Sequence, residues 1–196
     1  MGLRPRQLAF VRGGRPLYVD DGPHHFTVHP FLFRLTDPVA EVALNWENLN
    51  ARWVAPADIG KLPTVPRLAE TWARTDAGAL GQEAALAALA GDRAHGAAEL
   101  AGWALAALER ADADSVRRSP PGVDGAPLLE ALRNLGYLLA TCRPGMAPVA
   151  NATAAALASA HQKLHNAAGP FPVTAGEVCA AIGEVRRSTC HGCWRF

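Results

Sequence analysis

The chain has 196 residues, 49% of them hydrophobic and 19% charged, a balance that excludes a disordered polypeptide and leaves room for one ordinary domain or two small ones. Nineteen basic residues against eighteen acidic ones leave a net charge of +1, so no chain-wide pull toward nucleic acid or an anionic membrane is expected. No apolar run reaches the roughly 20 residues of a membrane span, the N-terminus MGLRPRQLAFVRGG has no signal-peptide core, and four unevenly placed cysteines make no disulfide framework, so a soluble, cytoplasmic protein is expected.

Residues 1–66 read as strands and turns. LAFVR and PLYVDD flank Gly13-Gly14 at the spacing of a hairpin. HHFTVHPFLFRL alternates, with Phe26 and Val28 on one face and His25, Thr27 and His29 on the other; past Pro30, the residues Phe31, Phe33 and Leu35 continue an apolar face. AEVALNW and ARWV supply two further short strands, and Pro56 opens a helical turn in PADIG. Residues 67–79 are read as a connecting segment with a helix around RLAETWART.

Residues 80–166 turn to helices. ALGQEAALAALA carries Leu80, Leu86 and Leu89, and AAELAGWALAALER places Leu100, Trp103, Ala104, Ala107 and Leu108 on one face. DADSVRRSPPGVDG reads as a polar loop, and APLLEALRNLGYLLATC repeats the helical period with Leu128, Leu132, Leu135 and Leu139. Pro144 ends that helix, since it lacks an N–H and crowds the preceding turn, and Pro148 starts the next. In the atypical tail, residues 167–196, Thr174 and Glu177 have the spacing of a capping box before Val178, Ala181, Ile182 and Val185. The fold class is therefore α+β, a short strand-rich region followed by an all-α bundle whose alanines favour close packing but bury little area each.

Residues able to carry chemistry are few. His24, His25 and His29 are metal-ligand types, but on a strand His24 points away from the other two, and surface histidines are the better reading. Cys190 and Cys193 form a C-x2-C without a second pair, in a segment expected to fray. Arg93, at a helix start, and Arg143, before Pro144-Gly145, are either solvated or carbonyl-capping residues, or ligands for a phosphate. The chain has no phosphate-binding loop, dinucleotide fingerprint, nucleophile elbow or zinc-protease motif, and Asp20, Asp21 and Glu47 make no arguable carboxylate pair. No metal, no cofactor and no catalytic residue are expected.

DRAHGAAELAGWALAAL, followed about thirty residues later by LLATCRPGMAPVANA, resembles the N-terminal helical region of the initiation factor 2B alpha/beta/delta family, which includes ribose-1,5-bisphosphate and methylthioribose-1-phosphate isomerases. The resemblance covers about residues 80–166 and rests on Arg93, Gly96 and Ala97, then Arg143, Pro144, Met146, Ala147 and Pro148; Gly145 stands where the family has Ser or Thr. It implies a helper's role for Arg93 and Arg143 toward a sugar phosphate, and a structural role for Gly96, Ala97, Pro144, Met146 and Pro148. The first half, through HHFTVHPFLFRL, LNWENLNARWVAPADI and TVPRL, is similar to the distal part of a Nudix domain, without its metal-binding Nudix box. Together these resemblances imply a fragment, non-catalytic as it stands, that binds a family partner as a homo- or hetero-oligomer in translation initiation. The alternative they leave is a piece of a fused hydrolase and isomerase acting on nucleoside diphosphate derivatives or sugar phosphates.

Overall fold

The computed structural model describes residues 2–37, 42–118, 124–167 and 174–192. The chain divides into two compact units, Met1–Thr75 and Asp76–Phe196. The first is strand-rich and the second helical, a mixed α+β architecture.

In the first unit, β1 (Leu8–Gly13) pairs antiparallel with β4 (Phe31–Leu35), and β2 (Leu17–Asp21) pairs antiparallel with β3 (His24–Val28). The hairpin expected at Gly13-Gly14 is therefore not formed. The chain reverses at Gly22-Pro23 instead, where Gly22 takes the positive φ of 58° that a two-residue turn needs at its first position. Gly13-Gly14 marks the break between the two ladders, bridged where the Gly14 N–H donates to the Pro30 carbonyl at 2.9 Å.

Gly14 is glycine for a different reason. A Cβ there would lie 2.6 Å from the carbonyl oxygen of Arg74, at the end of the short helix α1 (Leu68–Ala73). Two arginines tie that helix to β2. Arg74 Nη1 donates to the Pro16 carbonyl at 2.8 Å, and Arg67, held at φ 62°, donates to the Tyr18 carbonyl and forks onto both Glu70 oxygens at 2.9 and 2.7 Å. The fork holds the Glu70 carboxyl below its ordinary range.

The strands expected in AEVALNW and ARWV are not formed over the described residues 42–46 and 51–54, the rest of the first lying outside them. Asn45 to Asn48 close a turn instead: the Asn48 N–H donates to the Asn45 carbonyl at 3.2 Å, and the Asn45 amide reaches Glu47 at 3.2 Å. The helical turn read at Pro56 is a 3-10 helix, Pro56–Lys61. On the ribbon, Phe33 and Phe31 of β4 both approach Phe10 of β1, at ring separations of 5.7 and 6.4 Å, so the apolar face exists. It remains open, with Phe10 62% exposed.

In the second unit, a 3-10 turn (Gly78–Leu80) leads to α2 (Glu83–Gly91), then α3 (Ala97–Arg118), α4 (Ala126–Thr141), α5 (Ala147–Ala167) and α6 (Ala175–Gly192). The last four form a bundle in which α5 packs against α3, α4 and α6. Its buried residues, Val149, Thr153, Ala156 and Ala160, recur every three or four positions. Volume comes from the neighbours: Leu100, Leu105 and Leu108 of α3, and Leu132, Leu135, Leu138 and Leu139 of α4, are all buried. The Thr153 hydroxyl is satisfied within its own helix, donating toward the Val149 and Ala150 carbonyls at 2.9 and 3.0 Å.

Two sequence readings change here. Residues 112–118, read as loop, continue α3, because Ala111 and Asp112 are buried and the Ser115 hydroxyl bonds back to the Ala111 carbonyl at 2.8 Å. Residues 119–123 of that loop lie outside the described residues. Trp103, placed in the core by periodicity, is 38% exposed. The capping box read at Thr174 and Glu177 is formed at the start of α6: the Thr174 N–H donates to Glu177 Oε2 at 2.7 Å, the Glu177 N–H returns to the Thr174 hydroxyl at 3.4 Å, and Val178, Ala181 and Ile182 enter the core. No helix of the described residues is long and apolar enough to cross a membrane.

Gly14→Ala should destabilise the protein by about 1–3 kcal/mol through the clash with the Arg74 carbonyl. Gly13→Ala, whose Cβ would meet Phe31 at 3.6 Å and the Pro30 carbonyl oxygen at 3.8 Å, both ordinary contacts, should be nearly neutral. Urea unfolding of both variants checks this, and equal midpoints would contradict the close approach.

Candidate functional site

The two arginines singled out in the sequence meet at one place, the C-terminal end of α2. Helix ends leave carbonyls without intrahelical partners and carry the negative end of the dipole, so cations settle there. Arg93 Nη1 donates to the carbonyls of Ala90 at 3.1 Å and Asp92 at 2.7 Å. Arg143 Nη1 reaches the same end from the α4–α5 connection, donating to the Asp92 carbonyl and to Leu89 at 3.4 Å. Arg143 thus caps α2 rather than the helix it follows.

The Arg143–Met146 turn holds that position. The Met146 N–H donates to the Arg143 carbonyl at 2.9 Å, with Pro144 at the second position, where its fixed φ suits a turn. Pro148 is the second residue of α5, where a missing N–H costs nothing. The Gly96 carbonyl accepts the Leu100 N–H at 3.0 Å, and Ala97 opens α3.

Arg93 and the Cys142–Met146 stretch line one open hollow of about 420 Å³. Nη2 and Nε of both arginines make no bond among the described residues, so each guanidinium keeps donors free after capping α2. The lining stretch runs directly into the N-terminus of α5, the positive end of a 21-residue helix. An anion of phosphate size has complementary charge here. Cys142, on the same wall, is a poor nucleophile: burial pushes its thiol up, against the smaller opposing pull of Arg143.

Sequence reasoning missed Asp92, which holds the cluster together. Its backbone carbonyl receives both arginines, and its Oδ1 accepts the N–H groups of Ala94 and His95 at 3.1 and 2.9 Å. Its Oδ2 meets His95 Nδ1 at 2.7 Å. The signal was present as an aspartate heading the turn before a helix, the usual Asx-turn pattern. The bond to His95 holds the Asp92 carboxyl below its ordinary range. That same bond, with help from Glu99 at 3.7 Å, lifts the His95 ring above its own.

His25 sits opposite Asp20 in the β2–β3 register, its Nδ1 2.6 Å from Asp20 Oδ1. Among the described residues no three histidine, cysteine or carboxylate groups converge on one point. Of the C-x2-C, Cys193 lies outside the described residues.

The Asp92–His95 clasp has a defined pH window. Asp92 titrates below its unfolded value, so its contribution is present above that value and lost as pH falls through the lowered folded one. His95 titrates above its unfolded value, so its contribution is present below that value and lost as pH rises through the raised folded one. The clasp should be strongest between about pH 4 and 6.5. NMR titration of the His95 ring should place its midpoint above 6.5, with a return toward 6.5 in Asp92→Asn; an unmoved midpoint in that variant would refute the pairing.

Compared with protein-family models, curated proteins and solved structures, the chain matches none of them.

Proposed function

We propose that the chain is an initiation factor 2B-related binding protein, non-catalytic by itself, whose helical unit receives the phosphate of a sugar-phosphate-like ligand between Arg93 and Arg143. The observation that carries this reading is the convergence of the two motifs. DRAHGA and CRPGMAP are about fifty residues apart, yet their arginines cap one helix end and line one hollow. In the resembling family both motifs belong to the same helical region. The raised Cys142 thiol beside the arginines favours binding over covalent chemistry. On this reading the natural partner is a polypeptide of the initiation factor 2B family, bound through the helical unit, and the location is cytoplasmic.

Gly145 offers a gain-of-function test. It lines the hollow, and a Cβ there would meet nothing within 4 Å, so the family's serine fits without displacement. Calorimetric titration with ribose 5-phosphate should show saturable binding, weakened about tenfold or more in Arg93→Gln and in Arg143→Gln, since each removes a charge-assisted contact. Gly145→Ser should tighten it by adding a hydroxyl donor. Arg143→Gln should also cost about 1 kcal/mol of stability through the lost α2 cap, so thermal unfolding is measured alongside. Absence of binding in a folded wild-type protein would refute the ligand reading. Failure of the chain to co-migrate with an initiation factor 2B alpha subunit would refute the partner.

A further inference from the structure

A second hollow in the helical unit, separate from the arginine pair, has the makings of a site of different chemistry. It lies between α2 and α3, has a volume of about 260 Å³, and is walled by Ala85, Ala88 and Leu89 on one side. Trp103, Ala106 and Arg110 of α3 form the other side. Those three positions are spaced by three and four residues and so share one helix face. Trp103 and Arg110 therefore stand about 10 Å apart along the axis, with a methyl between them. The small side chains create the space: Ala85, Ala88 and Ala106 leave a slot that leucines would fill.

The two ends of the slot differ in chemistry. At one end the half-open Trp103 indole is backed by the His95 ring, tilted against it at a centroid separation of 4.7 Å. At the other end Arg110 is exposed and makes no hydrogen bond or ion pair with the described residues. A cation left without a carboxylate beside an apolar slot is complementary to a ligand with an apolar body and one terminal negative charge.

We infer that this slot binds a small amphipathic carboxylate, an aryl or short alkyl acid, with its apolar body against Trp103 and the alanines and its carboxylate on the Arg110 guanidinium. The volume sets the size: at roughly 30 Å³ per water displaced, the slot exchanges fewer than about ten waters, below the range of drug-sized ligands. Van der Waals contact with the indole supplies affinity, and Arg110 supplies the preference for charge. The inference does not depend on the phosphate reading, since neither Arg93 nor Arg143 lines the slot.

Phenylacetate is the probe and 2-phenylethanol its neutral control, titrated into the full chain while the Trp103 indole N–H is followed by NMR. Phenylacetate should saturate with a Kd on the order of 1 mM, as expected for about ten heavy atoms in a half-open site. It should bind about five- to tenfold tighter than the alcohol, and Arg110→Gln should remove that difference. Ala88→Leu, at an exposed position that a leucine can occupy without disturbing the core, should abolish binding of both probes. Unchanged binding in Ala88→Leu would overturn the site. Equal affinities for acid and alcohol in the wild type would overturn the role of Arg110, and no saturation by about 20 mM phenylacetate would overturn the inference as a whole.

Discussion

The helical unit depends on how closely α5 can be approached. Its buried face is Val149, Thr153, Ala156 and Ala160, so it presents a shallow surface on which three neighbouring helices can settle. Helices of this kind gain little from each alanine removed from water, so the leucines of α3 and α4 supply most of the apolar burial. The division of labour has a cost. A small-residue face tolerates no extra volume where leucines press on it, and a leucine lost from α3 or α4 leaves a cavity that alanines cannot fill. The same economy on another side of α3, where Ala106 lines one hollow with Ala85 and Ala88 of α2, leaves the slot beside Trp103.

A polar counterpart to that apolar framework sits at the short connection from α2 to α3. Asp92 uses its backbone carbonyl, both carboxylate oxygens and its place at a helix end at once. The carbonyl collects two guanidinium groups, while the carboxylate shapes the turn that launches α3 and holds His95. Because Arg143 arrives from the α4–α5 connection, this one residue ties together three helix termini that adjacency in the chain would not join. A turn that could have been a plain loop thus becomes the point where charge is concentrated. It also explains why both arginines retain donors toward the hollow: each needs only one nitrogen to satisfy the carbonyls.

The strand-rich unit is organised differently. It is fastened by backbone fit and arginine bonds rather than by a filled apolar interior. Gly14 against the Arg74 carbonyl, Arg74 on Pro16, and Arg67 on Tyr18 and Glu70 fix α1 to the ribbon, while the aromatic rings of Phe10, Phe31 and Phe33 cluster on an open face. Uncovered apolar surface is therefore concentrated in the first unit, on the strands and on Trp46, Leu49 and Trp53 of the segment that follows them, whereas the helices of the second unit cover most of theirs with one another, Trp103 excepted among the described residues.

Local signals by themselves determined much of this architecture. The apolar period of α2 to α4, the proline punctuation around residues 144 to 148 and the Thr174–Glu177 capping box depend on neighbours within a few positions, and such short-range chemistry survives whatever tertiary context surrounds it. Pairing over distance was decided only in three dimensions. Gly13-Gly14 and Gly22-Pro23 are both plausible turns in isolation; the chain reverses at the second, while Gly14 of the first pair lies where α1 ends, against the Arg74 carbonyl. Trp103 lies at a core period, yet the alanines opposite it cannot cover an indole, so it stays half-open. Arg93 and Arg143 were visible as candidates, but nothing in their spacing says that they share one helix end or that Asp92 joins them. The sum of such long-range contacts, rather than the preference of any one segment, placed them there.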